Sequence, residues 1–443
     1  MSAPFDDYEA ALEWLVGHYN LERQLGRPDV AVPTLDRMTA LMGILGDPQA
    51  SVPTVHLTGT NGKGSTSRII VDVMAALGLA AGSYRSPHIT RVNDRIAVAN
   101  EPLDDLDFTT ALAEIATVES LVEAMVGQRP NYFEVLSAAA FNWFAATGVD
   151  VNVIEVGLGG RWDATNVIDA EVAVITNIDA DHLEIIGPTL ADVAREKAGI
   201  IGPDSHVICG ETDPALVDVI RRETCREIWL AGADFGVVQD RLAVGGRVVE
   251  LFTPYGRHEE VFLPAHGAHQ ARNLAVAVAA VEAFFGRPLD GDVLAAGLER
   301  LSLPARFEIV GRQPLVIVDG AHNPAGARAL ADTLFVDFVP AAVDEQRCVL
   351  VVGCSGPHDP LGFLEAIDVD RFDLVVATGA AWPRSLPAAD IEVAAQGLGA
   401  VVEVAGTVAE AVDAGIRFAG EAGTVVVTGS LYVASEARVH LQQ

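Results

Sequence analysis

Only two lysines occur among the 443 residues, Lys63 and Lys197, and the remaining Lys and Arg positions are all arginine. A drift toward arginine explains the missing lysines, since one surface cation replaces another at little cost. It does not explain the two that stay. A compact ammonium and a nucleophilic primary amine are the two things a guanidinium cannot supply. Lys63 lies in Thr58-Gly59-Thr60-Asn61-Gly62-Lys63-Gly64-Ser65 and Lys197 in Arg195-Glu196-Lys197-Ala198-Gly199, so both are candidate active-site residues.

Around Lys63, an apolar strand, a glycine-rich turn, a lysine, a small hydroxyl residue and a helix follow one another. In that arrangement unpaired backbone N–H groups and a helix N-terminus face phosphate oxygens, and the lysine neutralises them. The spacing departs from the common G-x-x-x-x-G-K-[ST], because Gly64 separates Lys63 from Ser65. Glu155 ends a second apolar strand, where a carboxylate points into the crevice at which parallel sheets bind ligands. Magnesium is the natural partner, since it takes one or two protein oxygens and completes its shell with phosphate and water. Thr176 to His182 closes the next strand in the same way, so Asp181 and His182 are expected beside Glu155.

These residues need a scaffold of strands that end at one edge. Val52–Leu57, Val151–Val156, Glu171–Thr176 and His206–Cys209 read as strands, alternating with helices at Ser65–Leu77, Tyr132–Ala146, Leu190–Gly199 and Pro214–Arg222. The alternation predicts a mostly parallel sheet covered on both faces. Residues 234–263 break the rhythm and suggest inserted antiparallel strands. The rhythm pauses again near Leu301 and restarts at Leu315–Val318. The expected domains are therefore residues 1–300, a linker at 301–312, and a second α/β domain at 313–443.

Half the residues are hydrophobic and a fifth are charged, which excludes a disordered chain. The net charge of −32 argues against nucleic acid and anionic lipid as partners. Cys209, Cys225, Cys348 and Cys354 show no metal-ligand spacing and read as reduced thiols. The N-terminal stretch carries Asp6, Asp7, Glu9 and Glu13 and lacks the plan of an export signal. No apolar run reaches membrane-spanning length. A cytoplasmic location is expected.

Thr58 to Ser65, Ser86-Pro87-His88, Glu155 to Asn166, Asn177 to His182, Glu196 to Gly199, His269 to Asn273, Asp319 to Pro324 and Thr428 to Tyr432 occur in that order. Together they resemble the folylpolyglutamate synthase/dihydrofolate synthase branch of the Mur ligase superfamily. The resemblance implies a P-loop ATPase domain with a small antiparallel insertion, followed by a Rossmann-like α/β domain. It implies an ATP-dependent ligase that adds L-glutamate to a folate or dihydropteroate carboxylate through an acyl phosphate. It places ATP on Asn61, Gly62, Lys63, Gly64 and Ser65, with Asn273, Arg306 and Asp319 as further nucleotide contacts. Ser86, Glu155 and His182 would bind Mg2+. Lys197 would be carbamylated and support a second ion. Phe133, Glu134, Arg161, Trp162, Asp163, Ala164 and His322 would meet the substrates, and the protein would be a monomer.

Two segments depart from the family pattern. Trp162 replaces a customary leucine, and an indole there could stack on a pterin. The turn from Gly353 to Asp359 lacks the Lys-Asp-Lys-Asp-like sequence of many relatives. A Mur-type ligase for another carboxylate, and a nucleotide-binding regulatory protein without catalysis, are the competing readings. The joint presence of Lys63, Ser86, Glu155, His182 and Lys197 argues against the latter.

Overall fold

The apolar run that enters the glycine-rich turn forms β1 (Thr54–Thr58), whose five residues are all buried. The computed structural model describes residues 4–24, 34–339, 346–357 and 359–442, so His358 of the departing turn lies outside the described residues. β1 lies between β5 (Val151–Glu155) and β6 (Val172–Ile175), parallel to both. The rest of this sheet is β2 (Ala81–Tyr84), β3 (Ile96–Val98), β4 (Glu101–Pro102), β7 (His206–Cys209) and β8 (Glu227–Leu230). Its order is β4-β3-β2-β5-β1-β6-β7-β8. Only the edge pairs β2/β3 and β3/β4 are antiparallel. The mostly parallel sheet expected from the sequence is present, and β1, β5 and β6 are buried throughout, as strands covered on both faces must be.

The expected insertion is an antiparallel three-stranded sheet of β9 (Gly236–Ala243), β10 (Gly246–Thr253) and β11 (Gly256–Leu263). Gly245 turns the first hairpin with φ +80°, a conformation that favours glycine. A helix at Asp105–Val126 was not legible in the sequence. It buries Phe108, Ala111, Leu112, Ile115 and Val122 but leaves Leu106, Leu121 and Met125 exposed, which blurs its apolar stripe. It packs in one core with Met38, Leu41 and Met42 and with the buried face of the helix Tyr132–Thr147.

The chain divides into two compact units, Met1–Pro264 with Gln270–Leu301, and Ala265–His269 with Ser302–Gln443. The second unit holds β12 (Glu308–Arg312), β13 (Leu315–Val318), β14 (Cys348–Val352), β15 (Leu374–Ala377), β16 (Val402–Val404) and β17 (Thr424–Thr428), in the order β12-β13-β17-β14-β15-β16. β13 to β17 run parallel, which is the Rossmann-like plan. Residues 308–312, read as part of a linker, instead form the antiparallel edge strand β12 against β13. A short polar segment at an edge, partly buried and interrupted by Gly311, carries little strand signal of its own. Among the described residues no helix is long and apolar enough to cross a membrane.

Candidate active site

β1 ends at Thr58, and Gly59 to Gly62 turn the chain into the helix Lys63–Ala76. Gly59 (φ +151°) and Gly62 (φ +84°) take up backbone that side chains rarely adopt. Both are also pressed by neighbours. An added Cβ would lie 1.8 Å from Thr176 Oγ1 at Gly59, and 2.5 Å from Asn273 Oδ1 at Gly62. The turn is therefore built between β6 and the helix Ala268–Phe285, and the sequence-predicted nucleotide residue Asn273 rests on it.

Hydrogen bonds hold the turn's shape. Thr60 N–H donates to Asn177 O (3.0 Å) and Asn61 N–H to Asn177 Oδ1 (2.8 Å). Thr176 Oγ1 donates to Asn61 O (2.7 Å), and Asp179 N–H donates to Thr60 Oγ1 (2.9 Å). Lys63 Nζ donates to Gly59 O at 2.9 Å, which folds the ammonium back over the turn. Ser65 is buried and accepts from Gln270, which in turn accepts from Asn273. Thr60, Thr176, Asn177, Asp179 and Gln270 were not singled out as site residues. The side chains of Thr60, Thr176, Asn177 and Gln270, and the backbone of Asp179, serve groups far away in sequence, which no local spacing reveals.

Glu155 closes β5 beside β1, in register with Leu57. It is 4% exposed, and its Oε2 lies 3.6 Å from where a Cβ on Gly64 would sit. The carboxylate is thus brought to the first turn of the phosphate-loop helix. Ser86 follows β2 on the other side of β5, where Tyr84 pairs with Ile154, and it is half-buried. The residue before it, Arg85, is buried and was not singled out from the sequence.

Lys197 ends the helix Leu190–Lys197 and is 5% exposed. Burial, and then the charge of Lys63, push its amine down to about 7, against the opposing pull of Asp181, Glu196 and Asp163. The two lysines of the chain therefore share one electrostatic neighbourhood. His182 has left-handed backbone (φ +52°) and lies 3.7 Å from Asp181 Oδ1 and 3.8 Å from Glu184 Oε1. The loop after Glu155 packs on the same helix: Arg161 N–H donates to Glu196 O, and Trp162 N–H to Glu196 Oε1. Added atoms at Gly160 would meet Glu196 O at 2.7 Å and Lys197 Cα at 3.0 Å.

The candidate substrate residues divide into those already engaged and those that present a surface. Asp163 is buried and accepts from the N–H groups of Gly157, Leu158 and Thr165, so it holds the loop together. Glu134 is buried, paired to Arg37 through both oxygens, and bonded to the N–H of Asn131. Arg161 is paired with Glu223. Phe133 lies against Gly157, where an added Cβ would come within 2.6 Å of its ring, and Ala164 is half-buried. Trp162 is 49% exposed, the most open of the set in this unit. In the second unit, buried Asp319 accepts from the N–H groups of Phe307 and Ala321, and burial raises its pKa despite Arg306. Arg306 donates to Ala305 O, and His322 Nδ1 lies 3.0 Å from Gly320 O.

Residues 57–281 match the family model of the Mur ligase middle domain, and residues 305–431 that of the Mur ligase, glutamate ligase domain. The chain is 38% identical over 441 residues to a dihydrofolate synthase/folylpolyglutamate synthase of Mycobacterium tuberculosis, spanning 92% of this chain and 89% of the relative. It is 32% identical over 409 residues to a folylpolyglutamate synthase of Lacticaseibacillus casei, spanning 91% and 93%. Its fold matches that of a Mycobacterium tuberculosis folylpolyglutamate synthase complexed with ADP at a TM-score of 0.89 and 36% identity, over 99% of both chains. An E. coli FolC in complex with DHPP and ADP matches at a TM-score of 0.84 and 28% identity, over 99% and 98%.

Proposed function

Since the chain belongs to the Mur ligase family, in its folylpolyglutamate/dihydrofolate synthase branch, we propose that it joins L-glutamate to a folate-type carboxylate with ATP as the energy source. The observation that carries the chemistry is the placement of the Glu155 carboxylate over Gly64, beside a phosphate-type turn. In this reading the substrate carboxylate takes the γ-phosphoryl group, and the amine of glutamate displaces phosphate from the acyl phosphate. The N–H groups of the turn and the helix N-terminus bind the phosphate oxygens. Lys63 swings from the Gly59 carbonyl to the transferring group, where its charge offsets what develops in the transition state. Asn273, Arg306 and Asp319 are proposed nucleotide contacts.

Ser86, Glu155 and His182 are the proposed magnesium residues. The donor set fits: one buried carboxylate with a hydroxyl and an imidazole leaves the remaining positions to phosphate and water. Magnesium held there would screen the phosphate charges. Lys197 is proposed to act as its carbamate beside a second ion. A free amine is required for that modification, and a pKa of about 7 gives a large free-base fraction at neutral pH, where an ordinary lysine has almost none. For the acceptor, Phe133, Trp162 and Ala164 are the proposed contact surface, with Arg161, His322, the helix-capping Glu134 and the loop-holding Asp163 in support. A cytoplasmic location agrees with four unpaired cysteines.

Mass spectrometry of products from ATP, magnesium and glutamate, with dihydropteroate or tetrahydrofolate supplied separately, tests the reading. A product heavier by one glutamate from either acceptor supports it and shows which reaction dominates. ADP formation with neither product would sink it.

A further inference from the structure

Arg85 sits at the end of β2, one residue before Ser86, and is only 6% exposed. Its Nη1 donates to Asn100 Oδ1 (2.5 Å), while its Nη2 is buried without a hydrogen-bond partner. Asn100 is itself tethered. Its amide donates to Asp72 Oδ1 (2.6 Å) and to Arg68 O (3.1 Å), both on the phosphate-loop helix. Ala99 and Asn100 are the two-residue turn of the β3–β4 hairpin, and both take the left-handed backbone, φ +49° and +65°, that such a turn requires. An incompletely paired buried guanidinium is unfavourable, and its bond to the tethered Asn100 is what keeps the cation inside the sheet-helix interface.

That cation projects to the same face of the sheet as Glu155. Tyr84 and Ile154 are paired in register, so Arg85 and Glu155 are the next residues of two adjacent parallel strands. Burial, and then the charge of Arg68, bring the arginine's pKa down to about 9, against the opposing pull of Glu155, Asp72 and Asp94. A guanidinium stays charged near neutrality wherever it sits in a protein.

We propose that Arg85 is a built-in counter-charge for Glu155, a positioning residue that sets how tightly a divalent cation is held there. The inference rests on the reading of Glu155 as a metal-binding carboxylate. A fixed cation behind the carboxylate offsets part of its charge before metal arrives. It also repels the incoming ion, so that nucleotide phosphates must contribute before binding becomes tight. The site then favours the metal–nucleotide pair over the bare metal.

The test is Mn2+ binding to the full-length protein without nucleotide, followed by electron paramagnetic resonance and so independent of turnover. Arg85→Gln, which removes the charge, should bind Mn2+ about tenfold more tightly, the order expected when one like charge leaves a poorly solvated site. Arg85→Lys, which keeps the charge, should stay close to the parent. Arg85→Met, which removes the charge and keeps an unbranched stem for the buried site, should shift affinity in the same direction as Arg85→Gln, so it decides the matter if the glutamine variant does not fold. Glu155→Gln should weaken binding. If Glu155→Gln weakens it but neither Arg85→Gln nor Arg85→Met tightens it, the counter-charge inference is wrong and the metal-site reading stands. If Glu155→Gln binds as the parent does, both fall together.

Discussion

An amine enclosed as fully as that of Lys197 does little as an ordinary cation, because burial and Lys63 both act against its protonation. The proposed carbamate turns that liability into an anion within reach of Asp181 and Lys63. Lys197→Arg retains a positive charge and cannot be carbamylated, so ligation should fall roughly 100-fold, the upper range for loss of a group that supports a metal. Lys197→Ala should be similarly impaired but should recover in part when formate or acetate is supplied. Steady-state rates with and without added carboxylate check this, and a fully active Lys197→Arg would remove the carbamate from consideration. The two lysines were legible as site residues because arginine dominates everywhere else. Arg85 was not, since nothing in its neighbourhood of sequence shows that its side chain reaches Asn100 and shares a sheet face with Glu155.

At the level of elements, the glycine-rich turn depends on closeness that only hydrogen side chains allow. Gly62→Ala places a Cβ at φ +84° and 2.5 Å from Asn273 Oδ1, and should destabilise the fold by about 1–3 kcal/mol while displacing a proposed nucleotide contact. Urea unfolding and calorimetric titration with an ATP analogue check the two effects, and unchanged nucleotide affinity would separate the turn from ATP binding. β1 carries a second test. His56 lies wholly inside it, bonded through Nε2 to Thr165 Oγ1, and burial drives its pKa to about 3. Below about pH 6.5 the unfolded chain binds a proton there that the folded chain refuses, so stability drops as pH falls toward 3 and is unaffected above 6.5. His56→Gln should flatten the decline between about pH 6.5 and 4 by up to about 1.4 kcal/mol per pH unit in unfolding measurements. An identical slope in parent and variant would show that His56 protonates in the fold. The buried parallel strands were legible as apolar runs, and β7 and β13 have the predicted bounds. β2, with the sequence Ala-Gly-Ser-Tyr, and β12 were not, because their strand character comes from the neighbours they pair with.

For the whole molecule, a net charge of −32 means that self-repulsion opposes folding at low ionic strength. Raising salt from about 0.05 M to about 0.5 M should lift the melting temperature by several degrees, since screening at the higher value acts over only a few ångström. Scanning calorimetry across that range checks it, and a falling melting temperature would mean that favourable ion pairs outweigh the repulsion. The central place of β1 has a different consequence, one for biosynthesis. Val55 pairs on one side with Val153 and on the other with Val172, and the turn that follows is closed by Asn273. A nascent chain therefore displays its glycine-rich turn long before the walls that shape it exist. Such distant pairing is slow to form. Nucleotide recognition should emerge late during translation, only once Asn273 has left the ribosome, and a ribosome-bound fragment ending short of it should fail to retain ATP.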